Sequence, residues 1–202
     1  MRVIGVLVSV LLMVVAGVSV TRQPLVAVGI ALASVALGLT LVDPIALPTL
    51  AVPAIVIVQR IGGGGLDLSL SDAALAVAFV PAVLLCHRPM SVELSQILAL
   101  SGVYQFATLL TVVANPYVAN VVEWFHAWLL VSGSLVVGWA VARGGRGPLA
   151  IKLFMIACTV IALGTLVSAA LQYARRDFGP VFPSYPFPMH KNFAGTLLGL
   201  AS

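Results

Sequence analysis

Residues 149–171 read LAIKLFMIACTVIALGTLVSAAL, and Lys152 is the single charged residue among them. A helix rises about 1.5 Å per residue, so a helix of this length crosses the roughly 30 Å hydrocarbon core of a bilayer. A chain inside lipid must pair its backbone N–H and C=O groups within the segment itself, which favours a helix over an open sheet. This stretch therefore predicts a membrane-spanning helix.

The rest of the chain repeats this pattern. Of its 202 residues, 61% are hydrophobic and 8% are charged, and the mean hydropathy is +1.17, whereas about a quarter of the residues in a soluble domain are charged. We predict an all-α fold, a polytopic transmembrane helix bundle of about seven to eight membrane segments. These segments are placed at about 3–20, 25–42, 44–58, 71–86, 92–114, 124–142, 149–171 and from 193 to the end.

Two of the segments are open to more than one interpretation. Residues 3–20 resemble a signal peptide, but the apolar run is longer than the ~7–15 residues of a signal sequence and no small-x-small cleavage pattern follows it, so we predict an anchor helix. Residues 44–58 contain three prolines, each of which lacks a backbone donor. This segment is either a kinked short span or a re-entrant segment, and a re-entrant segment would invert every later orientation.

Basic residues in the short loops predict the orientation. The loop at 143–148 holds Arg143 and Arg146 and is typical of a cytoplasmic loop, which places residues 172–192 outside. The chain then divides into N-terminal transmembrane helices at 1–172 and, at 173–202, an extracytoplasmic loop with the start of a further helix. We predict a multi-pass protein of a bacterial inner or plasma membrane, with the lipid bilayer as its first partner.

Charge and cysteine content exclude several functions. The net charge of +4 is spread along the chain, so we expect no nucleic-acid partner. Cys86 and Cys158 lack metal-ligand spacing, and we expect no metal site and no cofactor. All six acidic residues fall at segment ends or in loops, which predicts no buried carboxylate for ion coupling. Ser71 or Asp72 is expected to cap the helix at 71–86.

Polar and small residues mark three of the predicted helices. In the segment at 92–114 they recur at spacings of three and four and share one face, which either joins helices or lines a substrate groove. Gly164 with Ser168 and Gly195 with Gly199 are small-xxx-small pairs, which predict helix packing. The residues of the polar face are Ser101, Tyr104, Gln105, Thr108 and Thr111.

The segment from Tyr173 to Gly195 is the richest in candidate functional groups. Four prolines forbid a helix there, and four aromatic residues among them suit the membrane interface, so this loop is expected to lie along the membrane surface. Arginine binds phosphate through a planar fork, histidine exchanges a proton near neutral pH, and a helix start favours an anion. The candidate residues are Arg175, Arg176, His190, Lys191 and Asn192.

This order of residues resembles the start of the core domain of the O-antigen ligase and polysaccharide polymerase family. The resemblance rests on the arginines, the loop rich in glycine and aromatic residues, and His190-Lys191-Asn192 followed by Phe-Ala-Gly and an apolar helix. The earlier Leu-Ser-Leu-Ser-Asp at 68–72 is similar to the N-terminal region of that family. Together these stretches cover about thirty residues.

The resemblance implies an integral membrane glycosyltransferase that needs no metal. Such an enzyme takes a glycan from a polyprenyl-pyrophosphate carrier and passes it to a hydroxyl of an acceptor glycan outside the membrane. Carried over to this chain, Arg175, Arg176, Lys191 and Asn192 would bind substrate, with an arginine on the phosphate, and His190 would be the catalytic candidate.

The chain also departs from that family. The large later loop is absent, and the sequence stops at Ser202, within a helix. We therefore expect either the N-terminal half of such an enzyme or a short relative that has lost activity, and in both cases the chain would not catalyse transfer alone. The alternative is a non-enzymatic multispan membrane protein or a small-solute permease.

Overall fold

The computed structural model describes residues 2–19, 24–57, 60–61, 68–85, 89–189 and 191–201. Nine α-helices and one short strand pair make up the regular structure of these residues. The helices are α1 (Arg2–Ser19), α2 (Pro24–Val42), α3 (Ala46–Ala54), α4 (Leu70–Leu85), α5 (Val92–Ala114), α6 (Val118–Trp128), α7 (Ser134–Arg143), α8 (Gly147–Ala174) and α9 (Lys191–Ala201). A π-helical turn, Leu129–Gly133, joins α6 to α7.

The all-α class is confirmed, and a helix is found in each of the eight predicted segments. Residues 92–114 form α5 with the predicted bounds, whereas the helix predicted at 124–142 begins earlier, at Val118, and contains the π-helical turn. The strands β1 (Arg60–Ile61) and β2 (Leu68–Ser69) form one antiparallel pair between α3 and α4.

Among the described residues, three helices are long and apolar enough to cross a membrane. They are α5, the continuous helix Val118–Arg143, and α8. Ile30–Val42 and Leu70–Leu84 are apolar but shorter. The outward side chains of α5 include Leu100, Val103 and Val113, which are 71%, 69% and 69% exposed, and such a surface is compatible with lipid. These helices indicate a membrane protein, while the seven to eight crossings are not confirmed.

Side-chain contacts show which helix ends lie together. The Asp43 carboxylate accepts a 2.7 Å hydrogen bond from Arg146, so the start of α3 lies beside the start of α8. Ser101 in α5 bonds Ser132 at 2.8 Å, and the Trp124 indole donates to the Gln105 carbonyl at 2.9 Å, so α5 is antiparallel to α6. We call the two ends of the bundle the Arg146 end and the Arg175 end.

The described part of the segment predicted at 44–58, residues 44–57, does not return to the end of the bundle from which it starts. Within α3 the chain leaves the Arg146 end, and past α3 the Ile57 carbonyl accepts from the Ser71 N–H at 3.1 Å. The return to the Arg146 end is made by α4, whose Ala82 packs in the same core cluster as Ala140 near the end of α7. With nine residues, α3 is about 13 Å long, and it ends just after Pro53.

The centre of the bundle is packed from side chains of α3, α4, α7 and the π-helical turn, and four of its eight buried residues are alanines. Residues without bulky side chains let helix backbones approach closely, which is how helices associate where lipid weakens the hydrophobic effect. Phe79 and Trp128 close one side of this centre with an edge-to-face ring contact at 5.3 Å. The fully buried members of the cluster are Ala51, Leu75, Ala78, Ala82, Leu129, Val136, Val137 and Ala140.

Candidate functional site

Arg175 and Arg176 lie at the C-terminus of α8 with exposed side chains, and the structure shows no ion pair for either within the part of the chain that it describes. The Arg176 N–H donates to the Tyr173 carbonyl at 2.9 Å, and the Asp177 N–H donates to the Gln172 carbonyl at 3.2 Å. These two bonds form a Schellman motif, which places its C′ residue in the left-handed backbone region. Arg176 is that residue, with a φ of 60°.

The end of α7 supplies a direct comparison. Gly145 donates to the Ala142 carbonyl at 3.1 Å and Arg146 to the Val141 carbonyl at 3.0 Å, which is the same motif. There the C′ residue is Gly145, with a φ of 71°, as steric arguments favour. An L residue with a side chain is disfavoured in this region by about 1–2 kcal/mol. The arginine at the end of α8 therefore occupies a backbone position that glycine would fill at lower cost.

Residues 177–189 pack against α8 rather than spreading away from it. Gln172 Nε2 donates to the Gly179 carbonyl at 3.2 Å, and the Ser184 N–H donates to Ser168 Oγ at 3.0 Å. A Cβ added to Gly164 would lie 2.2 Å from the Tyr185 carbonyl oxygen. The predicted small-xxx-small pair of α8 therefore contacts a non-helical segment, not another helix.

This segment follows α8 towards the middle of that helix. Met189 is buried in a cluster with Val56, Cys158 and Ile161. Gln172 and Ile161 are eleven residues apart, which corresponds to roughly 16 Å along the helix axis. The segment therefore runs beside α8 for several turns, while its place relative to a membrane surface stays a prediction.

The remaining predicted site residues open α9. His190 lies outside the described residues, and Lys191 is the first residue of α9. Asn192 is exposed, and its carbonyl accepts from Thr196 Oγ1 at 3.0 Å. Because Met189 sits at the level of Ile161, the start of α9 is offset from Arg175 by about 20 Å along α8. The structure therefore keeps the arginines and the start of α9 apart.

The polar face of α5 divides into two parts. Ser101 is buried and bonds Ser132, so this part joins α5 to the π-helical turn. Towards the Arg175 end, Gln105, Thr108 and Thr111 line a groove of about 380 Å³ between α5 and α6. The face therefore makes a helix contact at one depth and lines a groove at another, while a substrate for the groove stays a prediction.

A buried carboxylate is present at the start of α4, which corrects the sequence prediction. Asp72 is 3% exposed, and its Oδ1 lies 3.0 Å from His126 Nε2 on α6. The second ring nitrogen of His126 lies 3.7 Å from Glu123. A histidine that pairs with a buried carboxylate on another helix fixes the relative position of the two helices.

The helix cap also differs from the prediction. Ser69 Oγ accepts from the Asp72 N–H at 3.2 Å, and the Asp72 carboxylate accepts from the Ser69 N–H at 2.8 Å. This is a capping box with Ser69 at the N-cap and Asp72 three residues later, so the cap is not Ser71 or Asp72. The Ser-x-x-Asp spacing was the available sequence signal, whereas nothing in the sequence pointed to His126.

The described residues include no group of three or more His, Cys, Asp and Glu side chains that could hold a metal ion. Comparison with protein families, curated proteins and solved structures finds no match to this chain.

Gly164→Ala should loosen the packing of residues 177–189 on α8. The new methyl group would meet backbone atoms of Tyr185 and Pro186, and such overpacking costs about 1–3 kcal/mol. The matched control is Gly138→Ala, since a Cβ there would meet nothing within 4 Å apart from its chain neighbours and the adjacent backbone of its own helix. Thermal unfolding in detergent should show a lower midpoint for Gly164→Ala alone, and equal midpoints would contradict the packing.

Asp72 and His126 should be energetically coupled. A double-mutant cycle with Asp72→Asn and His126→Gln is expected to give about 1–2 kcal/mol, because a buried hydrogen-bonded charge is involved. The comparison cycle combines Glu123→Gln with His126→Gln. The Glu123 side chain is 70% exposed, so the coupling energy of this pair should be less than about 1 kcal/mol. Unfolding free energies in detergent provide both values, and additive effects at Asp72 and His126 would exclude the pair as a helix clamp.

Proposed function

We propose that this chain binds a polyprenyl-pyrophosphate-linked glycan and forms the N-terminal, carrier-binding half of a membrane O-antigen ligase or polysaccharide polymerase. The observation that carries the proposal is the exposed pair Arg175 and Arg176 at the end of a candidate membrane-spanning helix. A pyrophosphate at the headgroup level of a bilayer needs cationic donors at that depth, and arginine offers two donors to each phosphate.

The conformation of Arg176 supports a role beyond helix termination. Non-glycine residues in the left-handed region cost free energy and cluster at ligand-binding positions, where the strain is retained for function. Arg176 occupies that region, although glycine performs the same structural task at the end of α7. The helix end does not require an arginine side chain, so we attribute the presence of the guanidinium group to ligand binding.

The proposal assigns the pyrophosphate to the two arginines. Lys191 and Asn192 begin α9 about 20 Å from the arginines, measured back along α8 towards its middle. They would therefore contact another part of the carrier or its glycan. The role of His190 as a catalytic group, and the transfer to an acceptor glycan, rest on the resemblance of the His-Lys-Asn sequence to that family.

The polar face of α5 supports binding rather than passage of a solute. A permease needs polar groups along a continuous path through the membrane. Ser101 and Ser132 bond each other and are buried, which closes the polar face on the Arg146 side of Gln105. The alternative of a small-solute permease is therefore less well supported than a ligand site at the Arg175 end.

Substitutions at the two arginines separate stability from binding. Arg176→Gly should raise the unfolding free energy by about 0.5–1 kcal/mol, because it removes the left-handed side chain, yet it should weaken carrier binding at least tenfold. Arg175→Gly should weaken binding without raising stability, since its φ is −81°. Both quantities can be measured on the chain in nanodiscs, with polyprenyl pyrophosphate as ligand.

The matched control is Arg143→Gln, at the end of α7 and therefore at the opposite end of the bundle. It should leave the affinity for polyprenyl pyrophosphate unchanged. Wild-type affinity in both Arg175→Gly and Arg176→Gly would overturn the proposal, as would an equal loss in the control.

A further inference from the structure

We propose that the groove between α5 and α6 binds an uncharged, hydroxyl-rich ligand, such as the sugar headgroup of a glycolipid. Its volume of about 380 Å³ falls within the roughly 300–1,000 Å³ of small-molecule sites. The polar side chains that line it are Gln105, Thr108, Thr111, Asn115, Asn120 and Glu123. None of the residues that line the groove belongs to α8, so this proposal does not rest on the arginines.

Gln105 is the residue that points to a ligand. It is 3% exposed, and within the described part of the chain neither its amide nitrogen nor its amide oxygen has a hydrogen-bond partner. A buried polar group without a partner is costly, and an amide needs both an acceptor and a donor to satisfy it. A hydroxyl group can donate and accept, so adjacent hydroxyls of one ligand would satisfy both atoms.

The backbone around Gln105 is held in place by its neighbours. The Gln105 carbonyl accepts from the Trp124 indole at 2.9 Å and from Thr108 Oγ1 at 3.0 Å. The Thr111 hydroxyl donates to the Thr108 carbonyl at 2.6 Å. Because both threonine hydroxyls already donate their protons to backbone carbonyls, their oxygen atoms remain available to accept hydrogen bonds from a ligand.

The charge of the groove selects against anions. Glu123 is the single charged residue in its lining, which contains no lysine or arginine. A phosphate would be repelled by the carboxylate and would find no cation there, whereas neutral hydroxyls can donate to it. Tyr104 and Trp124 add aromatic surface to the lining, against which the apolar face of a sugar ring can pack.

The hydroxyl-rich ligand has two possible sources, a lipid headgroup or a soluble sugar. The α5 helix is a candidate membrane span, and it exposes Leu110 and Val113 near the groove, at 59% and 69%. Acyl chains could contact these side chains while a headgroup enters the groove. The test therefore compares both sources.

Binding is measured on the whole chain in phosphatidylcholine nanodiscs, with tryptophan fluorescence and the thermal midpoint as readouts. One arm adds monoglucosyl diacylglycerol to the bilayer, a second adds free maltose to the solution, and a third adds phosphatidylglycerol as an anionic lipid. We expect a saturable change with the glucosyl lipid and none with phosphatidylglycerol. Saturation with maltose instead would assign the site to a soluble sugar, and no saturation in either sugar arm would overturn the proposal.

Gln105→Leu provides the decisive variant. It should weaken the saturable binding at least tenfold and, because it removes an unpartnered amide, it should raise the thermal midpoint of the ligand-free protein. Gln96→Leu, at an exposed position on the same helix, is the control and should keep wild-type affinity. Unchanged binding in Gln105→Leu, or a lower midpoint for it without ligand, would show that the amide has a structural role and would refute the site.

Arg175→Gly separates this proposal from the preceding one. Loss of polyprenyl pyrophosphate binding with intact glucosyl lipid binding would show that the two sites are independent. If Arg175→Gly also abolished glucosyl lipid binding, the groove would not be a separate site, and this proposal would be wrong.

Discussion

The pairing of backbone N–H and C=O groups is the constraint on which the rest of this structure depends. In an apolar environment an unpaired backbone group costs several kcal/mol, so the chain forms helices wherever it is apolar for long enough. The one long described stretch without a helix, residues 177–189, finds other partners. Ser168 Oγ accepts from the Ser184 N–H, and the Pro183 carbonyl accepts from the Met189 N–H at 3.0 Å.

The same constraint explains the composition of α8. A non-helical segment can pack closely on a helix where one position has no side chain, and its backbone N–H can be paired where another position has a short polar side chain. Gly164 provides the first, since its face is covered by the Tyr185 carbonyl, and Ser168 provides the second one turn later. Four prolines in the segment reduce the number of N–H groups that need a partner, which makes this packing possible beside an apolar helix.

Apolar run length was sufficient to predict the helices, because pairing within the segment depends on local sequence alone. Contacts between helices could not be predicted in this way. Asp72 falls at a segment end, and its burial depends on His126, which is distant in sequence. The pair Gly164 and Ser168 indicated close packing correctly, but small residues do not specify whether a helix or an extended chain covers them.

The two candidate sites differ in charge. Arg175 and Arg176 end α8, and Arg176 occupies a backbone position that favours glycine, while the groove of α5 and α6 has Glu123 as its charged residue. Both lie towards the Arg175 end, because α5 and α8 each run from the Arg146 end. A ligand that carries phosphate and one that carries only hydroxyls would therefore approach the same end and be sorted by charge. A single lipid-linked glycan contains both chemistries, so the distance between the two sites determines whether one molecule could occupy both.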